Sequence, residues 1–175
     1  VGSTPMFTPT VATGGNNSQL VAADPSGRYV YVSNVSSDTV SQFTIGDDGA
    51  LSAMSPATIS VASGSGVHYP WSIAVHPSGA WAYVSILQRQ RIDQFTIGAG
   101  GALSPMTPSF VAGGMFPETV AVHPSGLYAY LANGRSNTVS QYTVEPGTGV
   151  LSPMTPPTAP AGGTSGKENA WFVMV

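Results

Sequence analysis

The chain has no cysteine. That removes disulfide scaffolds, thiolate zinc sites, iron–sulfur clusters and cysteine nucleophiles at once. Charge is nearly as scarce. Lys, Arg, Asp and Glu make up 7% of 175 residues, and the net charge is −3, against about 25% charged residues in an ordinary soluble domain. Five basic residues cannot build the dense cationic face that phosphate neutralisation requires, so a nucleic-acid binder is excluded. The same shortage argues against docking on an anionic membrane surface. No apolar run is long enough for a transmembrane helix. No window carries a helical period. What is plentiful is glycine (21), proline (15) and apolar residues (42%): many turns around one core.

The sequence repeats. Asp24-Pro25-Ser26-Gly27, His76-Pro77-Ser78-Gly79 and His123-Pro124-Ser125-Gly126 follow one another at 52 and 47 residues. Val40 to Ile45, Ile92 to Ile97 and Val139 to Val144 keep the same rhythm, as do Gly49-Ala50-Leu51-Ser52, Gly101-Ala102-Leu103-Ser104 and Gly149-Val150-Leu151-Ser152. Each unit reads as four short strands. The first, Val21 to Ala23, Ile73 to Val75 and Val120 to Val122, ends at the Pro-Ser-Gly turn. The second, Tyr29 to Ser33, Trp81 to Ser85 and Tyr128 to Ala132, is almost wholly apolar and calls for cover on both faces. The third holds the Gln-Phe-Thr or Gln-Tyr-Thr segment. The fourth carries Ser-Pro-Met-Thr-Pro at Ser104 to Pro108 and Ser152 to Pro156, with a variant at Ser52 to Pro56. Proline cannot donate to a ladder, which places this strand on the outer edge.

Four antiparallel strands per unit, at a period near 50, describe β-propeller blades in an all-β protein. The expectation is a single partial propeller over residues 1–175. Its repeats are 19–66, 67–114 and 115–165, flanked by an outer strand of a preceding blade in 1–18 and the first strand of a following blade in 166–175. Small Ala22, Ala74 and Ala121 suit a strand lining the central channel. Three blades cannot close a ring. Open blade faces would exceed a tolerable apolar patch, so the repeat predicts either a piece of a longer chain or a subunit whose ring closes by assembly. A sandwich, which needs no sequence repeat, is the rival architecture.

The unit Pro-x-x-Ile-Ala-Val-His-Pro-Ser-Gly-x-x-Ala-Tyr-Val-Ser, followed by Asn-Thr-Val-Ser-Gln-Tyr-Thr and Gly-x-Leu-Ser-Pro, resembles the lactonase-type seven-bladed propellers. That family includes propeller 6-phosphogluconolactonases and carboxymuconate cyclases and borders the YVTN-repeat propellers. The resemblance covers essentially the whole chain. It implies a seven-bladed ring and a cofactor-independent hydrolase or cyclase acting on a small sugar lactone or related acid. Lactonase-like members often place His after the proline that opens the first strand, whereas Pro70 is followed by Trp71 and Pro117 by Glu118. The Asp-Leu-Gly-x-Asp segment that often follows the second strand is replaced by Asn34 to Asp38, Ile86 to Gln90 and Asn133 to Asn137.

In a propeller, the loops from fourth to first strand and from second to third strand share the face around the channel mouth. They place His68, Tyr69, Glu118, Lys167 and Glu168 there, with Asn34, Asp38, Arg89, Arg91, Asn133, Arg135 and Asn137. Opening a lactone needs a general base for water and a cation or donor pair for the oxyanion. His68 and Glu118 are the candidate bases. Arg89 and Arg135 are the candidate anion holders, because a guanidinium donates bidentately, and Asn133 is a further ligand-binding candidate. Each has a plainer role beside it: a solvated loop histidine, a strand-start glutamate bonding backbone, solubilising loop charges. His76 and His123 recur where Asp24 stands, so a turn side chain bonding backbone is expected. Trp71 and Trp171 share a repeat position that suits packing between blades. No second His at metal spacing accompanies His76 or His123, and neither a metal nor a cofactor is expected.

Two functions follow: a lactonase-like hydrolase with a small-molecule ligand, or a non-catalytic propeller for binding, scaffolding or self-assembly. Remaining blades of the same chain, or self-association, would cover the open faces. Low charge with abundant Ser, Thr, Gly and Pro suits an extracellular or periplasmic protein, with the cytoplasm as alternative.

Overall fold

In the computed structural model, which describes residues 10–61 and 66–162, the chain folds into twelve strands. They form three four-stranded antiparallel sheets in simple sequence order. Blade 1 is β1 (Ser18–Ala23), β2 (Tyr29–Asn34), β3 (Thr39–Ile45) and β4 (Leu51–Ser60). Blade 2 is β5 (Pro70–Val75), β6 (Trp81–Ile86), β7 (Arg91–Ile97) and β8 (Leu103–Ala112), with a single 3-10 turn over Leu87–Arg89. Blade 3 is β9 (Pro117–Val122), β10 (Tyr128–Asn133), β11 (Thr138–Val144) and β12 (Leu151–Pro160). The architecture is therefore all-β and propeller-like. The proline-bearing strands β4, β8 and β12 lie at sheet edges, and each runs ten residues, longer than the Ser-Pro-Met-Thr-Pro segment suggests. Of the outer strand expected in 1–18, residues 1–9 lie outside the described residues, as do the first strand expected in 166–175 and Lys167, Glu168 and Trp171.

Strand β2 is buried along its whole length, as a strand covered on both faces must be. Neighbouring blades pack with Tyr29, Tyr31, Ile73, Val84 and Phe95 between blades 1 and 2. Tyr83, Val120, Leu131 and Tyr142 do the same between blades 2 and 3. Polar side chains then tie the apolar layers together. Gln42, fully buried, accepts the Leu103 N–H of the next blade at 2.7 Å and donates to the Pro56 carbonyl of its own at 3.1 Å. Gln94 repeats this with Leu151 at 2.7 Å and Pro108 at 3.0 Å. Tyr31 and Tyr83 hydroxyls donate to the Gly101 and Gly149 carbonyls, each at 2.6 Å. Gly149 has φ +73° and lies under the Trp81 ring. A side chain there would meet both a left-handed backbone and an indole.

The Pro-Ser-Gly turns are held as expected. Asp24 accepts the N–H groups of Arg28 (2.8 Å), Tyr29 (2.7 Å) and Ser26 (3.0 Å) and the Ser26 hydroxyl. Burial alone would raise its carboxyl pKa, but these bonds outweigh burial and hold it below the ordinary value. His76 accepts the Ser78 N–H at Nδ1 (3.1 Å), which leaves Nε2 to donate across the interface to the Gly126 carbonyl (2.9 Å).

The open ends show what such packing covers. Val21 is 64% exposed, while its repeat equivalents Ile73 and Val120 are 2% and 4%. Tyr128 is 37% exposed where Tyr29 is 8%.

Replacing Gln94 by Ala removes both its bonds and strands the buried Leu151 N–H. The expected cost is about 2 kcal/mol, read by chemical denaturation, whereas exposed Gln88→Ala stays within about 0.5 kcal/mol. Equal effects from the two would show that the glutamine does not clamp the blades.

Candidate functional site

The mouth face is built from two loop classes that bond to each other in every blade. Val35 and Ser36 donate to the Asn17 and Asn16 carbonyls, Leu87 and Gln88 to Tyr69 and His68, and Gly134 and Arg135 to Phe116 and Met115. Asn17, Tyr69 and Phe116, just before the inner strands, hold positive φ (58°, 56°, 55°). So do Asp38, Gln90 and Asn137 before the third strands (53°, 50°, 50°). Six non-glycine residues in a sparsely allowed region, all on one face, mean that surrounding bonds hold that face in a fixed shape.

On this frame Asp38, His68 and Arg89 come together. Asp38 Oδ1 accepts the N–H groups of His68 (3.0 Å) and Tyr69 (2.9 Å), and Oδ2 faces His68 Nδ1 at 3.2 Å. Arg89 Nη2 lies 3.3 Å from His68 Nε2. A guanidinium only donates, so Nε2 accepts and the ring proton sits on Nδ1 facing the carboxylate. His68 is therefore a neutral imidazole whose tautomer is set by Asp38 and whose basic nitrogen points at a cation. It is buried, at 4% exposure, which corrects its expected role as a solvated loop histidine. Asp38 comes from the β2–β3 loop of blade 1, His68 from the β4–β5 loop and Arg89 from the 3-10 turn of blade 2. Arg89 is exposed, so the cluster opens outward through its guanidinium.

Glu118 stands apart, on β9. It is 9% exposed, and its Oε2 has no hydrogen-bond partner. Burial pushes its carboxyl up from the ordinary value. Its carbonyl, not its carboxylate, is engaged: Ser85 Oγ donates to it at 2.5 Å. The expectation of a glutamate bonding neighbouring backbone thus fails for the side chain. Arg135 lies exposed over the Phe116 ring, 5.2 Å from its centroid. Asn133 is fully buried and committed within its blade: its amide donates to Thr138 (3.1 Å) and Ser140 (2.8 Å) and its oxygen accepts Gly114 N–H (3.0 Å). Asn34 plays the same part in blade 1, with Thr39, Ser41 and Ser18. Both are scaffold for the loops. Arg91 is not a free loop charge either. It pairs with buried Asp93 at 2.6 Å and stacks on Phe110 at 4.3 Å.

Sequence reasoning named Asp38 among mouth residues but gave it no role, and it missed Gly134. A signal for Gly134 exists in the repeat, where Val35 and Leu87 hold the equivalent positions. Among the described residues, no group of three His, Cys, Asp or Glu is placed to hold a metal ion. No helix there is long and apolar enough to cross a membrane.

The sequence profile of a family described as "Lactonase, 7-bladed beta-propeller" matches residues 48–165. A search of curated proteins finds no match. Among solved structures, a provisionally assigned 6-phosphogluconolactonase of Bacteroides uniformis is similar at TM-score 0.71 and 24% identity, covering 78% of this chain and 39% of that one. A protein of Lactobacillus plantarum is similar at TM-score 0.69 and 17% identity, over 79% and 40%. A functionally unknown protein of Desulfotomaculum acetoxidans follows at 0.65 and 23%, over 78% and 40%. At these identities the likeness is one of fold. The chain spans about two-fifths of the length of these structures.

Glu118 carries a pH signature. A carboxyl whose pKa is higher folded than unfolded binds its proton more tightly in the folded state. Its contribution to stability is greatest below the unfolded value and falls as pH rises through the folded one. Glu118→Gln keeps the shape without the charge. Denaturation of both proteins at pH 4 and pH 7 should show the variant gaining on the parent at pH 7 and losing that advantage toward pH 4. An advantage independent of pH would contradict the burial of this carboxyl.

Proposed function

This chain belongs to the lactonase family of seven-bladed β-propellers, and we propose that it forms part of a cofactor-independent hydrolase that opens a small sugar lactone at the channel mouth. The observation that carries the reading is the Asp38–His68–Arg89 cluster, a neutral imidazole with its tautomer fixed and its Nε2 beside a guanidinium. The anionic or carbonyl oxygen of the substrate draws Arg89 off Nε2. His68 then takes a proton from water as the hydroxide oxygen bonds to the lactone carbonyl carbon. Arg89 holds the oxyanion that develops. The ring carbon–oxygen bond breaks as the tetrahedral intermediate collapses, and the leaving alkoxide takes the proton from His68. Atoms and charge balance with water as the sole co-reactant. Arg135 is a second cation on the same face for an acidic substituent of the sugar.

The exposed blade faces at Val21 and Tyr128 call for further blades of the same chain or a second molecule as cover. A position outside the cytoplasm suits the low charge. A second reading, a non-catalytic propeller for binding or scaffolding, is favoured by the internal use of Asn34 and Asn133, two polar groups that a ligand site would otherwise offer.

Lactone hydrolysis by the whole protein, followed by acid release at constant pH, tests the proposal. His68→Ala should lower kcat by about 10²–10⁴-fold, the range of a general base. Arg89→Ala should lower kcat and raise KM together, with Glu118→Gln and Arg135→Ala measured alongside. Hydrolysis unchanged by His68→Ala and Arg89→Ala removes this site; no hydrolysis of any sugar lactone leaves the binding role.

A further inference from the structure

The repeat allows one position to be compared across three blades. Each inner strand carries an irregularity in its pairing with the second strand, between Ser18 and Val21, Pro70 and Ser72, and Leu131 and Asn133 of the β9–β10 pair. In blade 2 it holds Trp71 alone, and in blades 1 and 3 it spans Gln19 with Leu20 and Glu118 with Thr119, so that Gln19 and Glu118 are the repeat equivalents of Trp71. A bulge re-aims the side chain it holds, and bulges concentrate near functional sites. The neighbouring loop position holds Val35, Leu87 and Gly134. Only blade 3 combines an acid with a glycine. The two belong together: a Cβ at position 134 would fall within contact distance of the Glu118 Cδ and both carboxylate oxygens. Gly134 is thus the gap that admits the Glu118 carboxyl.

The backbone around this carboxyl is used up. Gly134 N–H donates to the Phe116 carbonyl, the Asn133 amide is committed to Thr138 and Ser140, and the Glu118 carbonyl takes Ser85 Oγ. Yet Oε2 has no partner, on a side chain more than nine-tenths buried. A buried acceptor without a donor is costly, and native proteins keep few of them. The nearby loop charge is cationic, Arg135 over Phe116.

We propose that Glu118, its carboxyl seated against Gly134, is a specificity-determining residue that takes a hydroxyl group of a polyhydroxy acid or its lactone. This rests on the lactone reading and names the part of the substrate it recognises. A hydroxyl suits the site because it serves either state of the carboxyl: it donates to the carboxylate and accepts from the acid. It also adds no charge beside Arg135, whose guanidinium takes the acid end.

The test uses the whole protein with carboxyl-13C glutamate, the Glu118 signal being the one lost in Glu118→Gln. D-gluconate should move that signal. Hexanoate, with the same carbon count and carboxylate but no hydroxyls, should not. Glu118→Ala should weaken gluconate about tenfold, the scale of one lost hydrogen bond of about 1.4 kcal/mol, and leave hexanoate unchanged. Gly134→Ala should abolish the gluconate-induced shift. Gluconate binding that leaves the signal still, equal responses to the two acids, or no binding overturns the assignment. If the signal moves but gluconolactone is not hydrolysed, the hydroxyl site stands and the hydrolytic reading falls. If hydrolysis proceeds with the signal unmoved, the reverse holds.

Discussion

A blade of this protein cannot be satisfied alone. Its outer turn presents a buried Leu N–H and a Gly carbonyl to the preceding blade, and these need partners that its own sheet does not contain. Gln42 and Tyr31 supply them to Leu103 and Gly101, and Gln94 and Tyr83 to Leu151 and Gly149. The apolar contact drives the blades together, but it is non-directional. The glutamine and tyrosine fix where one blade sits on the next, because any slip would leave buried polar groups unpaired. The residue choices around the turn follow. Gly101 and Gly149 must lack a side chain because Tyr29 and Trp81 lie against them. The histidine of the Pro-Ser-Gly turn gains a second task when its Nε2 reaches the carbonyl of Gly126 in the next blade.

That registration fixes the mouth. Asp38 and His68 sit in loops more than twenty residues apart, and their bond exists because the β2–β3 loop of one blade lies beside the entry to the next. Asp38 organises this junction through three acceptor contacts, two to backbone and one to the ring. The positive φ that Asp38 shares with Gln90 and Asn137 belongs to the repeat. The use made of it belongs to this one junction. The general frame is scaffold, and the chemistry lies where a repeated position is filled in an unrepeated way.

How much of this was legible follows from the same distinction. Repeated features were readable because the sequence states them three times: blades, strand order, proline at the edge, histidine in the turn. Gln42 and Gln94 were visible as repeated residues, but the Leu N–H groups they accept lie in the next blade, about sixty positions away, and nothing local marks them. His68 was a visible candidate. Its burial was not, because it depends on Asp38 from another loop, and a loop position suggests solvent. Asn133 looked available because asparagine in a loop often is; its commitment to Gly114, Thr138 and Ser140 appears only once the loops are zipped. Glu118 was visible from its type and its place at a strand entry on the mouth face. What gives it meaning is Gly134, and a glycine in a chain so rich in glycine attracts no notice.

The pairing of Glu118 with Gly134 runs against stability, which makes it informative. A valine or leucine at 134, as at Val35 and Leu87, would fill the space, and a neutral residue at 118, as at Gln19 and Trp71, would avoid a buried charge. Both alternatives already stand in this sequence at equivalent positions, so the fold accepts them. Retaining an unpaired acid in the space of a missing Cβ therefore answers no need of the scaffold that blades 1 and 2 share. Local rules are broken without compensation mainly where function requires it. The Asp38–His68–Arg89 cluster differs in kind: both carboxylate oxygens and both ring nitrogens have partners, and it stiffens the junction between blades even without a ligand. One group is poised and satisfied, the other poised and unsatisfied. A site needing a base held in readiness and a contact completed by the ligand would be built from two such groups on one face.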